Sequence, residues 1–297
     1  SFVGAKTAQG NTDENGIGDF YYAPPSGFLA LCTSNLPETT ISPNSATQAD
    51  DYFNTVLYTG NATDNRSITG VGFQPEFVWL KARSSAQSHE LYDVVRGATK
   101  RLRSDLTEAE ANAVNNLQAF ESDGFEIGDA TSINGSGNTM VAWNWKAGGT
   151  AVSNTDGSIT SSVSANTDAG FSIVSFVNAA STNQETVGHG LTQAPDLIIA
   201  KNRDTSANNW AVFHSSVCDT TSKFLKLNTT DAVVTFSTVW GAALPTSSVF
   251  GVTGTGVAAS SVNVIAYCFH SVEGYSKFGS YTGNGSADGT FVYTGFR

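Results

Sequence analysis

One strand-forming pattern occurs twice in this chain, and the duplication constrains the fold more than any other feature. Pro75, Glu76, Lys81 and Arg83 recur as Pro195, Asp196, Lys201 and Arg203, an offset of 120 residues. Between acid and lysine each copy carries a continuous apolar run, Phe77-Val78-Trp79-Leu80 and Leu197-Ile198-Ile199-Ala200. Further on, Tyr92 falls opposite Phe213 and Leu102 opposite Leu225. The run Val141-Ala142-Trp143-Asn144-Trp145-Lys146 falls opposite Ile265-Ala266-Tyr267-Cys268-Phe269-His270. Landmarks that keep their order over such a span are not coincidence.

Apolar runs of this length, closed by proline and lysine, are strands buried in the middle of a sandwich. Composition agrees. Only 14% of residues are charged, 29 are glycine, and Ser, Thr and Asn fill much of the rest, which disfavours helix and favours strands and turns. Eighteen Phe, nine Tyr and five Trp supply packed interiors, so the chain is folded. The expected fold is all-β: two tandem homologous antiparallel β-sandwich domains, jelly-roll or Ig-like, over 52–149 and 169–274, with partial domains at both ends. A polar linker, Pro37 to Asp51, precedes the first copy, and Thr150 to Asp168 joins the two with almost nothing apolar. One helix is expected, Ser104 to Leu117, opened by Ser104-Asp105-Leu106-Thr107 and filled with Glu and Ala. Asn134-Gly135 and Ser136-Gly137-Asn138 read as hairpin turns.

The ends hold fragments. Residues 275–297 begin a third copy: Ser280-Tyr281-Thr282-Gly283-Asn284 repeats Leu57-Tyr58-Thr59-Gly60-Asn61, and Tyr293-Thr294-Gly295-Phe296 matches Gly70-Val71-Gly72-Phe73. Two strands alone cannot bury an apolar face in water, so this segment is expected to pack on the second copy, on another chain or on further sequence. Its aromatic residues Tyr281, Phe291, Tyr293 and Phe296 are candidate assembly contacts. Residues 1–40 belong to neither copy, yet Phe20-Tyr21-Tyr22 and Gly27-Phe28-Leu29-Ala30-Leu31-Cys32 look like the last strands of a sandwich.

Candidate chemistry is sparse. The net charge of −11 repels phosphate backbones, which argues against nucleic acid as a partner. No run approaches the roughly 20 apolar residues that span a bilayer, and Ser1-Phe2-Val3 runs into polar sequence unlike a signal peptide. Cys32, Cys218 and Cys268 form no CxxC pair; they read as small core residues, with a Cys218–Cys268 bridge as the alternative. None of His89, His189, His214 and His270 is shared by both copies, and no nucleophile or phosphate-loop motif occurs, so no catalytic residue is assigned and no enzyme is expected. No cofactor is expected, with one reservation. Asp13, Glu14 and Asp19 surround glycines in a loop that either holds calcium or forms an Asx-rich turn. Lys81 with Arg83, and Lys201 with Arg203, share a strand face; they are a solvated or edge-guarding charge, or a rim for acidic sugars or another subunit. Trp143, Trp145, Trp210 and Trp240 are core residues or, where exposed, glycan contacts.

Asp19-Phe20-Tyr21-Tyr22-Ala23-Pro24-Pro25-Ser26-Gly27-Phe28-Leu29-Ala30-Leu31-Cys32 with Asn35-Leu36-Pro37 resembles the end of the SPRY-like, concanavalin-type domain of phage virion proteins. Such proteins continue with repeats similar to Gly72-Phe73-Gln74-Pro75-Glu76-Phe77-Val78-Trp79-Leu80-Lys81, to Val94-Val95-Arg96-Gly97-Ala98, and to the segment from Val141 to Gly149. The resemblance implies an extracellular, virion-associated structural protein of a tail, fibre or filament, whose partners are copies of itself and other virion proteins. Separately, the fragments at both ends lead to the expectation that strands from one chain's C-terminus complete a sheet with a neighbour's N-terminal segment, giving head-to-tail assembly. A carbohydrate-binding adhesin that recognises cell-surface glycans is the alternative. A polysaccharide-degrading tail spike comes third, because it needs a carboxylate pair in one cleft.

Overall fold

The structure is a computed structural model that describes residues 7–35, 41, 45–178, 184–236, 239–254, 257 and 261–295. It is all-β, built from antiparallel sheets packed face to face. The chain divides into two compact units, Ser1–Thr39 and Thr40–Arg297, and both copies of the repeat lie in the second.

In copy 1 the strands are β1 (Phe53–Thr59), β2 (Arg66–Thr69), β3 (Phe77–Ala82), β4 (Glu90–Asp93) and β5 (Lys100–Arg101). They are followed by β6 (Ala111–Asn112), β7 (Leu117–Glu121), β8 (Gly124–Ile127) and β9 (Thr139–Trp145). The linker supplies β10 (Val152–Asn154) and β11 (Ser161–Asn166). Copy 2 has β12 (Phe171–Asn178), β13 (Glu185–Gly188), β14 (Leu197–Asn202), β15 (Ala211–His214) and β16 (Lys223–Lys226). It closes with β17 (Val234–Thr235), β18 (Val249–Val252) and β19 (Val262–Phe269).

The two copies have the same strand order. Copy 1 forms a sheet β1-β9-β3-β4, and the eight-stranded sheet of copy 2 contains β12-β19-β14-β15. Registers agree too: Phe77 pairs with Trp145 and Leu80 with Ala142, as Leu197 pairs with Phe269 and Ala200 with Ala266. Opposite each main sheet lies a smaller one, β2-β8-β7 in copy 1 and β13-β18 in copy 2. At the β7–β8 turn only glycine fits: Gly124 has φ +147°, and a Cβ there would stand 1.9 Å from the Ile68 carbonyl oxygen.

Strand alternation explains the continuous apolar runs. Val78, Leu80, Met140 and Ala142 face inward, onto Ile68, Phe125 and Ile127 of the small sheet. Their neighbours Phe77, Trp79 and Trp145 face the other way and join Phe171, Ile199, Ile265 and Tyr267 of copy 2 in a shared core. The opposite face of the copy 2 sheet, with Val174, Ile198 and Ala266, packs on Val187 and Phe250. The result is four layers with three apolar seams. Because the central strands are covered on both sides, they have no polar face to show.

Several local expectations are revised. Ser104–Leu117 is not a helix; apart from the short β6 it runs irregularly until β7 begins, because its backbone finds partners on copy 2 instead of one turn away. Glu110 N–H donates to Arg203 O at 2.8 Å, and Ala109 N–H to Ser206 Oγ at 3.3 Å. The Asn134-Gly135 pair closes a single helical turn, Thr131–Asn134, rather than a hairpin. Its Asn134 side chain is buried and ties Asn61, Thr63, Arg66 and Gly128 together. The serine-rich linker forms strands because its hydroxyls are satisfied inside: Ser161 donates to Gly188 O and Ser164 to Gly149 O. Cys218 and Cys268 are both buried free thiols.

In the first unit, Phe20–Tyr22 and Gly27–Cys32 form no strands; the described residues hold an isolated Asn11–Phe20 bridge and a 3-10 turn, Thr33–Asn35. Turn-forming Pro24, Pro25, Gly18 and Gly27 break the run, and polar side chains take its backbone groups. Residues 277–295 likewise contain no strand.

Candidate functional site

The seam between the main sheets is apolar in the middle and charged along one side. Asp93 closes β4, and three residues later Arg96 turns back to donate through Nε to its carboxylate; neither side chain has solvent exposure. Tyr267, on β19 of copy 2, stacks on Phe77 at 4.2 Å and donates its hydroxyl to Asp93 Oδ2 at 2.8 Å. Arg96 also reaches Glu110 at 3.1 Å, and Glu110 takes a two-pronged contact from Arg203 at 2.9 and 3.0 Å. Asp93, Arg96, Glu110 and Arg203 thus form a chain of alternating charge from one copy to the other. Burial alone would discharge Arg96, but Asp93, Tyr267 and Glu110 hold it charged. Burial also pushes Glu110 up, and its contacts with Arg203 and Arg96 more than reverse this.

The acid shared by the copies has one structural task in both. Glu76 accepts from Ala147 N–H at 2.7 Å, and Asp196 accepts from Ser271 N–H at 2.8 Å, so each pins the end of its long strand. Their protonation differs. Burial pushes Glu76 up to about 7, against weaker lowering by Ala147 N–H and Lys146. Asp196 feels burial too, but the Ser271 amide and hydroxyl and the Ser215 hydroxyl outweigh it and hold it below the usual range.

The basic residues of the two copies part company, which corrects the expectation of a common rim. Lys81 is half-buried and donates to Gln87 O, and Arg83 is exposed. Lys201 has no exposure; its Nζ donates to Thr107 O at 3.1 Å and Asn208 O at 2.8 Å. With Arg203 on Glu110, the copy 2 pair is internal. In the acidic loop the contacts are those of the Asx-rich turn, the other of the two alternatives. Asp13 accepts from the backbone of Asn15, Ile17 and Ala30, Glu14 binds Ser26 and Gly27, and Asp19 binds Gly10. Asp13 closes its own turn, Glu14 and Asp19 tie together more distant parts of the loop, and among the described residues no three acidic, histidine or cysteine side chains gather as a ligand set.

At one side of the seam the sheets diverge into a cleft of about 220 Å³. Trp79 and Trp145 line one wall, Leu197 and Phe269 the other, and Tyr275 and Phe278 close the end. Trp143 stands edge-on to Trp79 at 6.5 Å, and His89 Nδ1 accepts from Trp79 Nε1 at 2.8 Å, so half-exposed indoles and a polar group flank the mouth. Trp210 and Trp240 are wholly buried. Beyond Phe278 large side chains are exposed, although Tyr293–Gly295 border a cavity with residues 271–277: Tyr281 is 70%, Phe291 86% and Tyr293 79% exposed. Phe296 lies outside the described residues.

The model of a domain of unknown function, DUF7483, matches residues 48–297. The chain belongs to the DUF7483 family. The DUF7483 match takes in both copies and the segment after them, so the family's domain is the double-copy body with its exposed extension. No curated protein and no solved structure matches the chain. Arg96, Asp93, Glu110 and Tyr267 are the site residues that sequence reasoning passed over; the short Asp93–Arg96 spacing was the available signal.

Proposed function

We propose that this chain is a non-enzymatic structural subunit of an extracellular assembly, of the phage tail, fibre or filament kind, which joins copies of itself through residues 279–295. The exposed aromatic side chains of that segment carry the reading. Its sequence repeats that of β1 and β2, and in this alignment Phe291 takes the place of Ile68, which is 3% exposed in copy 1 while Phe291 is 86% exposed. A segment with core-type side chains and no core favours association. The extracellular location rests on the resemblance to virion proteins.

The test compares the full chain with one lacking 279–297, by light scattering on a sizing column and by electron microscopy. The full chain should form multimers and the shortened one monomers. Because each chain carries a net charge of −11, multimers should strengthen with salt as repulsion is screened. A full chain that stays monomeric at high concentration and high salt would overturn the reading.

The half-exposed Trp79 and Trp143 favour a second reading, an adhesin that stacks sugar rings at the mouth of the cleft. On that reading Trp143→Ala should abolish binding in a glycan array while leaving the fold intact, and an array without a positive glycan removes it.

A further inference from the structure

The two copies differ at one edge of their main sheets, and the difference identifies an acceptor for an added strand. In copy 2 the strand β12 is covered by β11, with Val163 opposite Val174 and Ser161 opposite Phe176. The corresponding strand of copy 1 is β1, since Phe53 pairs with Trp145 as Phe171 pairs with Phe269. Yet β1 ends its sheet, and among the described residues no strand lies on its outer side.

The free groups can be assigned. Tyr52 O accepts from Lys146 N–H and Gly60 N–H donates to Asn138 O, both at 2.8 Å, so residues two apart between them turn their amides to β9. Phe53, Thr55, Leu57 and Thr59 therefore turn theirs outward. Thr55 N–H is occupied by Asn54 Oδ1 and Thr59 O by Arg66, which leaves Leu57, 60% exposed, at the middle of the edge. An edge seven residues long is a template for another chain.

We propose that β1 receives residues 289–295 of a second copy as an antiparallel strand, in the position that β11 occupies within copy 2. This rests on the assembly reading above and names its joint. The donor suits the vacancy. Phe291 and Tyr293 alternate with Val292, all three exposed, and among the described residues no strand pairs with these three. Placed with Phe291 opposite Tyr58, as Ser161 is opposite Phe176 in copy 2, the donor sets Tyr293 opposite Val56; both acceptor residues border the copy 1 core, and Val292 meets Leu57 on the outer face. Main-chain bonds supply attachment and the alternating side chains supply register. Donor and acceptor lie on different parts of one chain, so the contact is head-to-tail and propagates.

Two measurements test this in a Cys32→Ser background, since the other thiols are buried. Leu57→Pro removes only an outward N–H, which an edge strand tolerates, and should abolish multimers with an unchanged circular dichroism spectrum. Equal amounts of Leu57→Cys and Val292→Cys chains, mixed and oxidised, should give a disulfide-linked heterodimer, because facing residues of paired strands lie within bridging distance. Should Leu57→Pro unfold the chain, the cross-link alone decides. Multimers that survive Leu57→Pro, or mixed chains that fail to cross-link while multimers are present, overturn the acceptor and leave the assembly reading standing. A parent chain that never multimerises removes both. A Leu57→Cys/Val292→Cys chain that closes on itself as a monomer overturns the second copy as donor.

Discussion

Replacing Arg96 with alanine should lower the unfolding free energy by about 3–5 kcal/mol, the cost of removing one partner from a buried ion pair. Asp93 would be left in the interior with only the Tyr267 hydroxyl and the Arg96 backbone N–H as partners. Leu91 O and Lys100 O would also lose their guanidinium donors. Against a total stability of about 5–15 kcal/mol for a domain, that is a large share. Tyr267→Phe, which deletes one hydroxyl and keeps the stack on Phe77, should cost about 1–2 kcal/mol. The Arg96→Ala and Glu110→Ala losses should fall short of additive in the double variant, because one network holds both residues. Denaturant titration of these four variants beside the parent chain measures all of this. An Arg96→Ala loss below about 1 kcal/mol would show that the charge chain does not hold the copies together.

Contacts between the copies also decide which parts of the fold are legible in the sequence. Phe77–Leu80 and Leu197–Ala200 read as strands because both of their faces are buried, so every residue in them is apolar and no surrounding detail is needed. Duplication was legible for a similar reason: the proline, the acid and the Lys-x-Arg are fixed by strand ends that each copy must make. Segments whose partners lie on the other copy were illegible. Ser104–Leu117 has helical propensity, but propensity is worth only tenths of a kcal/mol per residue and yields to Arg203, Ser206 and Lys201 across the seam. Thr150–Asp168 looked like a plain linker because its strands use buried serine hydroxyls in place of apolar side chains. Lys81 and Lys201 occupy one position of the repeat, and nothing near them in sequence says that only the second is buried. That difference arises where Thr107 of copy 1 meets copy 2. The open edge of β1 is likewise a property of the assembled sheet.

Lys201 leads to the second large effect, a rise in stability with pH. Its ammonium is buried with two carbonyl acceptors, and among the described residues no carboxylate pairs with it. Burial pushes its pKa down to about 8 from the ordinary 10.5. Between these values the unfolded chain binds a proton that the folded chain does not, so stability must increase as pH rises through the window. From pH 8 to pH 10 the gain from this group is about 2–3 kcal/mol at about 1.36 kcal/mol per pH unit. Above pH 10 the opposite trend sets in, because burial holds Tyr92 and Tyr267 protonated in the folded state while they ionise in the unfolded one. Lys201→Met keeps the length of the side chain and removes the titration. It should flatten the curve between pH 8 and pH 10, whatever it does to stability at pH 7 through the loss of two hydrogen bonds. Thermal or denaturant unfolding of both proteins at several pH values gives the difference directly, and parallel curves would mean that Lys201 reaches water after all.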